Sequence, residues 1–139
     1  MYKSFGYPEF NASGEQILTT YNNEYSNMLM DIRVYKIKAD EERIFCREGE
    51  EIAILLLAGK ITYIFDGQEK TVSRKDVFTE GPWCVHVCSN TKVIVKANSD
   101  AEILVQCTKN EKQFPAKLYA PKDVPWGYSC AGKFGNTAQ

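Results

Sequence analysis

The sequence predicts an all-β protein, a sandwich or barrel of short antiparallel strands. Three observations predict it. Segments rich in β-branched, aromatic and long apolar residues follow one another along the chain. Clusters of Asn, Asp, Ser and Gly separate them at close spacing. No stretch keeps a 3.6-residue apolar period over three helical turns.

Each element follows from local residues. Residues 15–21 (EQILTTY) and 28–38 (MLMDIRVYKIK) read as strands, parted by Asn22-Asn23. The stretch holding Glu41, Glu42, Glu48, Glu50 and Glu51 beside Arg43 and Arg47 reads as a solvated charged loop, although paired carboxylates can also serve acid–base chemistry. Residues 52–65 (IAILLLAGKITYIF) form an apolar run that Gly59 breaks. Asp66-Gly67 follows, a two-residue hairpin signal because both residues tolerate positive φ, and residues 68–73 return. Further strands are expected over 83–88 (WCVHVC), 92–97 (KVIVKA), 101–108 (AEILVQCT) and 116–119 (AKLY). Val93, Val95 and Ala97 alternate with Lys92 and Lys96, so the first set should face a core and the lysines water. After Tyr119 come Trp126, Tyr128 and Phe134 among prolines and glycines, which reads as a lead-in to further chain or as a tail.

Composition bounds the function. The 139 residues suffice for one domain, and no internal repeat or linker divides them. With 17 Lys and Arg against 18 Asp and Glu, the formal charge is −1, which speaks against a nucleic-acid partner. The longest apolar run, Ile52 to Ala58, is too short to span a bilayer, and MYKSFGYPEF has no signal-peptide core, so no membrane partner and a cytoplasmic location are expected. Cys46, Cys84, Cys88, Cys107 and Cys130 are odd in number and lack Cys-x-x-Cys spacing, so they read as reduced, semi-buried residues. The single histidine, His86, excludes any site needing two imidazoles from this chain.

Three groups could carry chemistry or binding. Cys84, His86 and Cys88 share one face of a strand and are all capable of binding zinc. Positions two apart lie roughly 7 Å from one another, so three in a row can hardly converge on one ion. Packing of Val85 and Val87 into a core is the plainer account. His86 as a base for a Ser or Cys nucleophile lacks any nucleophile-elbow pattern beside it. The aromatics Trp83, Tyr119, Trp126, Tyr128 and Phe134 could include an interface patch or pack in a core.

The stretch GEEIAILLLAGKITYIFDGQ resembles the first half of a cupin motif. From about Gly49 onward the chain is similar to the N-terminal half of the 5-deoxyglucuronate isomerases of myo-inositol catabolism, relatives of the 4-deoxy-5-threo-hexosulose-uronate ketol-isomerases. The blocks carrying the likeness are Ser73-Arg74-Lys75-Asp76-Val77-Phe78, Val85-His86-Val87, Ala97-Asn98-Ser99-Asp100-Ala101-Glu102, Glu111 to Leu118, and Gly132-Lys133-Phe134-Gly135-Asn136. The resemblance implies a cupin-like double-stranded β-helix, a jelly-roll barrel, spanning residues 1–139. It implies an aldose–ketose isomerisation of a deoxy-uronic acid by a protein with two cupin halves. The metal, held by histidines and a glutamate, belongs to the C-terminal half.

This sequence departs from metal cupins where the ligands should stand. Ile44-Phe45-Cys46-Arg47-Glu48-Gly49-Glu50-Glu51 contains no histidine, and a residue near Val93 replaces the second motif's histidine. His86 lies one strand earlier. No catalytic, cofactor or metal residue therefore carries over. The expected role is structural, with a C-terminal cupin half and a second copy of the chain as partners. The alternative is a degenerate cupin that binds a sugar acid without catalysis, with Lys92, Lys96 or Arg74 meeting its carboxylate.

Overall fold

The structure, a computed structural model, describes residues 10–19, 30–77 and 80–123. These contain β1 (Glu15–Thr19), β2 (Met30–Ile37), β3 (Glu42–Phe45), β4 (Glu50–Phe65), β5 (Gln68–Arg74), β6 (Cys84–Val87), β7 (Val93–Ala97), β8 (Ala101–Lys109) and β9 (Lys117–Tyr119). A 3-10 turn follows at Pro121–Asp123, and no α-helix occurs among the described residues. Trp126, Tyr128, Cys130 and Phe134 lie outside them.

One sheet runs β1-β2-β8-β4-β6-β9. The other runs β3-β7-β4-β5. All pairs are antiparallel. The long strand β4 belongs to both. Its first half pairs with β8 and β6, and its second half with β5 and β7.

Gly59 therefore bends the run rather than breaking it. In the first half the even positions Ile52, Ile54 and Leu56 are buried; in the second half the odd positions Ile61, Tyr63 and Phe65 are. A register shift between Leu56 and Ala58 inserts one residue and resets the parity. Gly59 sits there with φ +102, and a Cβ would lie 2.5 Å from the Asp100 carbonyl oxygen and 2.7 Å from the Ala101 Cα. Only glycine fits both the dihedral and the backbone approach.

The core lies between the sheets. Val85, Val87, Val93, Val95 and Ala97 are all fully buried, and Lys92 and Lys96 are exposed, as the alternation predicts. Tyr63 is also fully buried, and its hydroxyl donates to the Ile54 carbonyl at 3.0 Å. The Asp66-Gly67 hairpin forms as expected, with φ of 51° and 75° and Phe65 opposite Gln68.

The charged loop expected between Glu41 and Glu51 is only partly a loop. Glu42–Phe45 is a strand paired to β7, and Glu50 and Glu51 open β4. Its alternation is hidden because Ile44 points outward, 62% exposed, while Arg43 and Phe45 point inward.

Replacing Gly59 with Ala should cost about 3 kcal/mol or more and lower Tm by roughly 10 °C, because dihedral strain adds to a backbone collision. Thermal unfolding followed by circular dichroism checks this. A variant as stable as the parent would show that the bend does not need glycine.

Candidate functional site

The inward face of β2 is unusual. Asp31, Arg33, Tyr35 and Ile37 lie opposite Cys107, Val105, Ile103 and Ala101 of β8, all buried residues. The period of two thus sends an acid, an arginine and a phenol into the space between the sheets. Arg43 and Phe45 of β3 come from the other sheet, and Arg47 from the turn after it. Tyr35 and Phe45 meet edge to face, ring centroids 5.3 Å apart. Between β2 and β3 lies a cavity of about 380 Å³, walled by Asp31, Arg33, Tyr35, Arg43, Phe45 and Arg47 with Cys46 and Cys107 beside them.

Asp31 anchors the charges. Its side chain is only 5% exposed. Arg33 grips it with two nitrogens, Nε to Oδ1 at 2.8 Å and Nη2 to Oδ2 at 3.1 Å. Arg47 donates from Nη2 to Oδ2 at 2.9 Å. The Arg33 Nη1 also donates to Glu15 Oε2 at 2.8 Å, and the Tyr35 hydroxyl donates to the same oxygen at 3.0 Å. Arg47 Nη1 stands 3.5 Å from Glu50. A buried carboxylate is tolerable only when paired and hydrogen-bonded in this way.

The surroundings shift the neighbours' acidities. The hydrogen bond to Asp31 raises the Arg33 pKa further, against burial. Burial disfavours the Arg47 cation, but Cys107, Asp31 and Glu50 together outweigh it and raise its pKa. Burial also pushes Glu15 up, but hydrogen bonds from Arg33, Tyr35 and Asn11 leave it below its ordinary value. Tyr35 is pushed up to about 12, first by burial and then by the Glu15 carboxylate. Burial pushes the Cys107 thiol up to about 11 against the pull of Arg47.

The residues singled out in the sequence lie elsewhere. Cys84 and His86 lie on β6 and Cys88 just beyond its end, and the three do not form one site. Cys84 joins a small apolar cluster with Ala53, Leu55 and Tyr119. His86 pairs with Glu51 at 3.0 Å and stacks on Phe114, with ring centroids 4.7 Å apart. Cys88 meets Thr91 and Gln113. Among the described residues no group of three or more His, Cys, Asp or Glu could hold a metal ion. Glu50 and Glu51 are partly buried partners of Arg47 and His86 rather than members of a solvated loop.

The cations offered for a ligand in the barrel also need correction. Lys92 and Lys96 are exposed and point away from the core, by the same alternation that buries Val93 and Val95. Arg74 is buried, but it donates to the Leu56 carbonyl at 2.7 Å and the Glu80 carbonyl at 3.0 Å, tying β5 to β4. Asp31 and Arg33, which wall the cavity, are not among the sequence candidates, although opposite charges two apart within an apolar strand mark them.

Residues 6–133 match the KduI/IolB family. The chain belongs to that family. No curated protein matches the sequence. Among solved structures, an IolB-like protein from Salmonella typhimurium LT2 superposes with TM-score 0.73 at 18% identity, covering 85% of this chain and 46% of that one. The chain thus spans about half the length of that relative. A predicted oxalate decarboxylase from Thermotoga maritima gives 0.56 at 14% identity, over 68% of this chain and 78% of that one. A cupin superfamily protein from Desulfitobacterium hafniense DCB-2 gives 0.51 at 15%, over 69% and 75%. The fold of this KduI/IolB domain is the cupin jelly roll.

The cavity between β2 and β3 does not fit the metal that this fold commonly holds. Three of the roughly four acceptor sites on Asp31 already take guanidinium protons. Arg33 and Arg47 place positive charge beside the one buried carboxylate there, and a divalent cation would have to displace both.

Two outcomes follow. Asp31→Ala leaves two guanidiniums without their shared acceptor; because both are about a third exposed, the expected cost is about 2 kcal/mol by denaturant unfolding. Alkaline pH should also weaken the fold. A pKa raised on folding gives stability that is present below the unfolded value and lost as pH rises through the folded one. For Cys107 that window runs from 9 to about 11, and for Tyr35 from 10 to about 12. In melts at stepped pH, Tyr35→Phe should flatten the upper part of the decline and Cys107→Ala the lower.

Proposed function

We propose that this domain serves as the metal-free N-terminal cupin half of a 5-deoxyglucuronate isomerase-like protein, with a structural and interface-forming role. The observation that carries the reading is the pattern of coverage. The family match takes in residues 6–133, while the superposition leaves more than half of the IolB-like chain unaccounted for. A second barrel in the assembled protein would account for the remainder.

The chemistry of the cavity between β2 and β3 supports the same reading. Aldose–ketose isomerisation moves a proton between neighbouring carbons, with a base to carry it and an electrophile to polarise the carbonyl. Asp31 is committed to two arginines and makes a poor base. His86 and Glu51 pair on β6 and β4, and neither lines the cavity between β2 and β3.

The isolated chain should show no isomerase turnover on 5-deoxyglucuronate, with or without added zinc, manganese or iron(II). A substantial rate with any of them would overturn the proposal.

A further inference from the structure

β3 forms an edge of its sheet. It pairs with β7, and no other described strand lies along it. The Ala97 N–H donates to the Glu41 carbonyl at 2.9 Å, so alternation down the antiparallel ladder turns the backbone groups of Arg43 and Phe45 toward β7. Those of Glu42 and Ile44 therefore face the open side. There the Glu42 carbonyl accepts a long bond of 3.4 Å from the neighbouring Arg43 side chain. An edge of this kind is a template for a further strand.

β3 also lacks the usual protection of an edge. It holds no lysine or proline, and its outward Ile44 is 62% exposed. By contrast β5, at the opposite edge, presents Glu69, Lys70, Thr71 and Ser73 to water. Ile44 also ends a row on the outer face of the sheet. It stands opposite Ile94, which stands opposite Ile64, and both of these are half-buried. The row stops at the open edge with its most exposed member.

The residues of the strand select its partner. An added antiparallel strand sets residues of the same face opposite one another. If β3 of a second copy paired about Glu42, two carboxylates would meet; about Arg43, two guanidiniums would meet. Pairing about Phe45 would set Arg43 against Arg47. Pairing about Ile44 avoids all three. Ile44 then meets the second copy's Ile44, Glu42 meets its Cys46, Arg43 meets the ring of its Phe45, and Glu41 meets its Arg47. The isoleucine row runs on from one copy into the next.

We propose that two copies of the chain associate through β3, antiparallel about Ile44, joining the β3-β7-β4-β5 sheets of both into one. Such a contact uses the same patch on each copy and closes on itself. It deepens the interface-forming role proposed above and rests on it. The two can fail separately: a monomeric chain without turnover would remove the dimer alone, and a dimeric chain with isomerase turnover would remove the metal-free role alone.

Sedimentation velocity of the full chain over a range of concentrations is the test. The mass should rise reversibly from one chain to two and stop there. Ile44→Lys sets two ammonium groups opposite each other, so the dimer dissociation constant should rise about ten-fold or more. The variant should still melt near the parent temperature when both are dilute, because the side chain is mostly exposed. The register has its own check. Glu42→Cys would face the second copy's Cys46 with roughly 5.5 Å between Cα atoms, within reach of a disulfide. Mild oxidation should link two copies of that variant, and adding Cys46→Ser should abolish the link. A chain that stays monomeric, a mass that climbs past two, a dimer that Ile44→Lys leaves intact, or a link that survives Cys46→Ser would each overturn the proposal.

Discussion

One strand holds the two sheets together, and its continuity depends on a single backbone feature. β4 pairs with β8 and β6 in its first half and with β5 and β7 in its second. A strand that changes sheets must turn, and turning would normally rotate its apolar face out of the core. The extra residue between Leu56 and Ala58 restores the face by shifting the buried set from even to odd positions. The turn is possible only because Gly59 lets the Asp100–Ala101 backbone come within a Cβ's distance. Tyr63 and Arg74 then secure the bend, one through the Ile54 carbonyl and the other through the Leu56 carbonyl. Both acceptors lie just before the glycine.

Where β4 is central, the core is dry and apolar. Its opposite is the β2–β3 edge, two strands removed in each sheet. There the inward positions carry Asp31, Arg33, Tyr35 and Arg43 instead. A buried carboxylate cannot stay charged on its own. It costs several kcal/mol to desolvate, and only close donors return that energy. Arg33 and Arg47 are those donors, and Glu15 on β1 is in turn held by Arg33 and Tyr35. The network thus ties the edge strand β1, β2 and the turn after β3 into one unit. Removing a member should be felt along the whole edge.

Much of the fold was legible because strand chemistry is local. Val93, Val95 and Ala97 alternate with lysines, and Asp66-Gly67 carries its own turn geometry. β3 was not legible, since its one large aliphatic residue, Ile44, points to water while its arginine points inward. A pattern that runs against the usual alternation can be recognised only once the partner strand is known. Gly59 looks like a break for a similar reason, because the sequence does not reveal that a second sheet waits on its far side. The candidate site was the hardest to read. His86 and the two cysteines attracted notice as metal-capable residue types, yet each has its own neighbours. Asp31 and Arg33 belong to types that usually sit on surfaces, and their importance comes from strand parity and from Arg47, fourteen residues beyond Arg33 in sequence, closing over them.

The arginines also clarify what a barrel mouth without histidines can still do. A bound divalent cation gives such a site two things, a fixed positive charge and an open coordination position that polarises a carbonyl. Guanidiniums supply the first and not the second, because their protons do not leave and their geometry suits binding rather than Lewis-acid catalysis. In the cavity between β2 and β3, Arg43 and Arg47 supply fixed positive charge, which Glu41, Asp31 and Glu50 balance, and no Lewis-acid position. The charge balance of this cavity rests on Asp31, which both Arg33 and Arg47 contact.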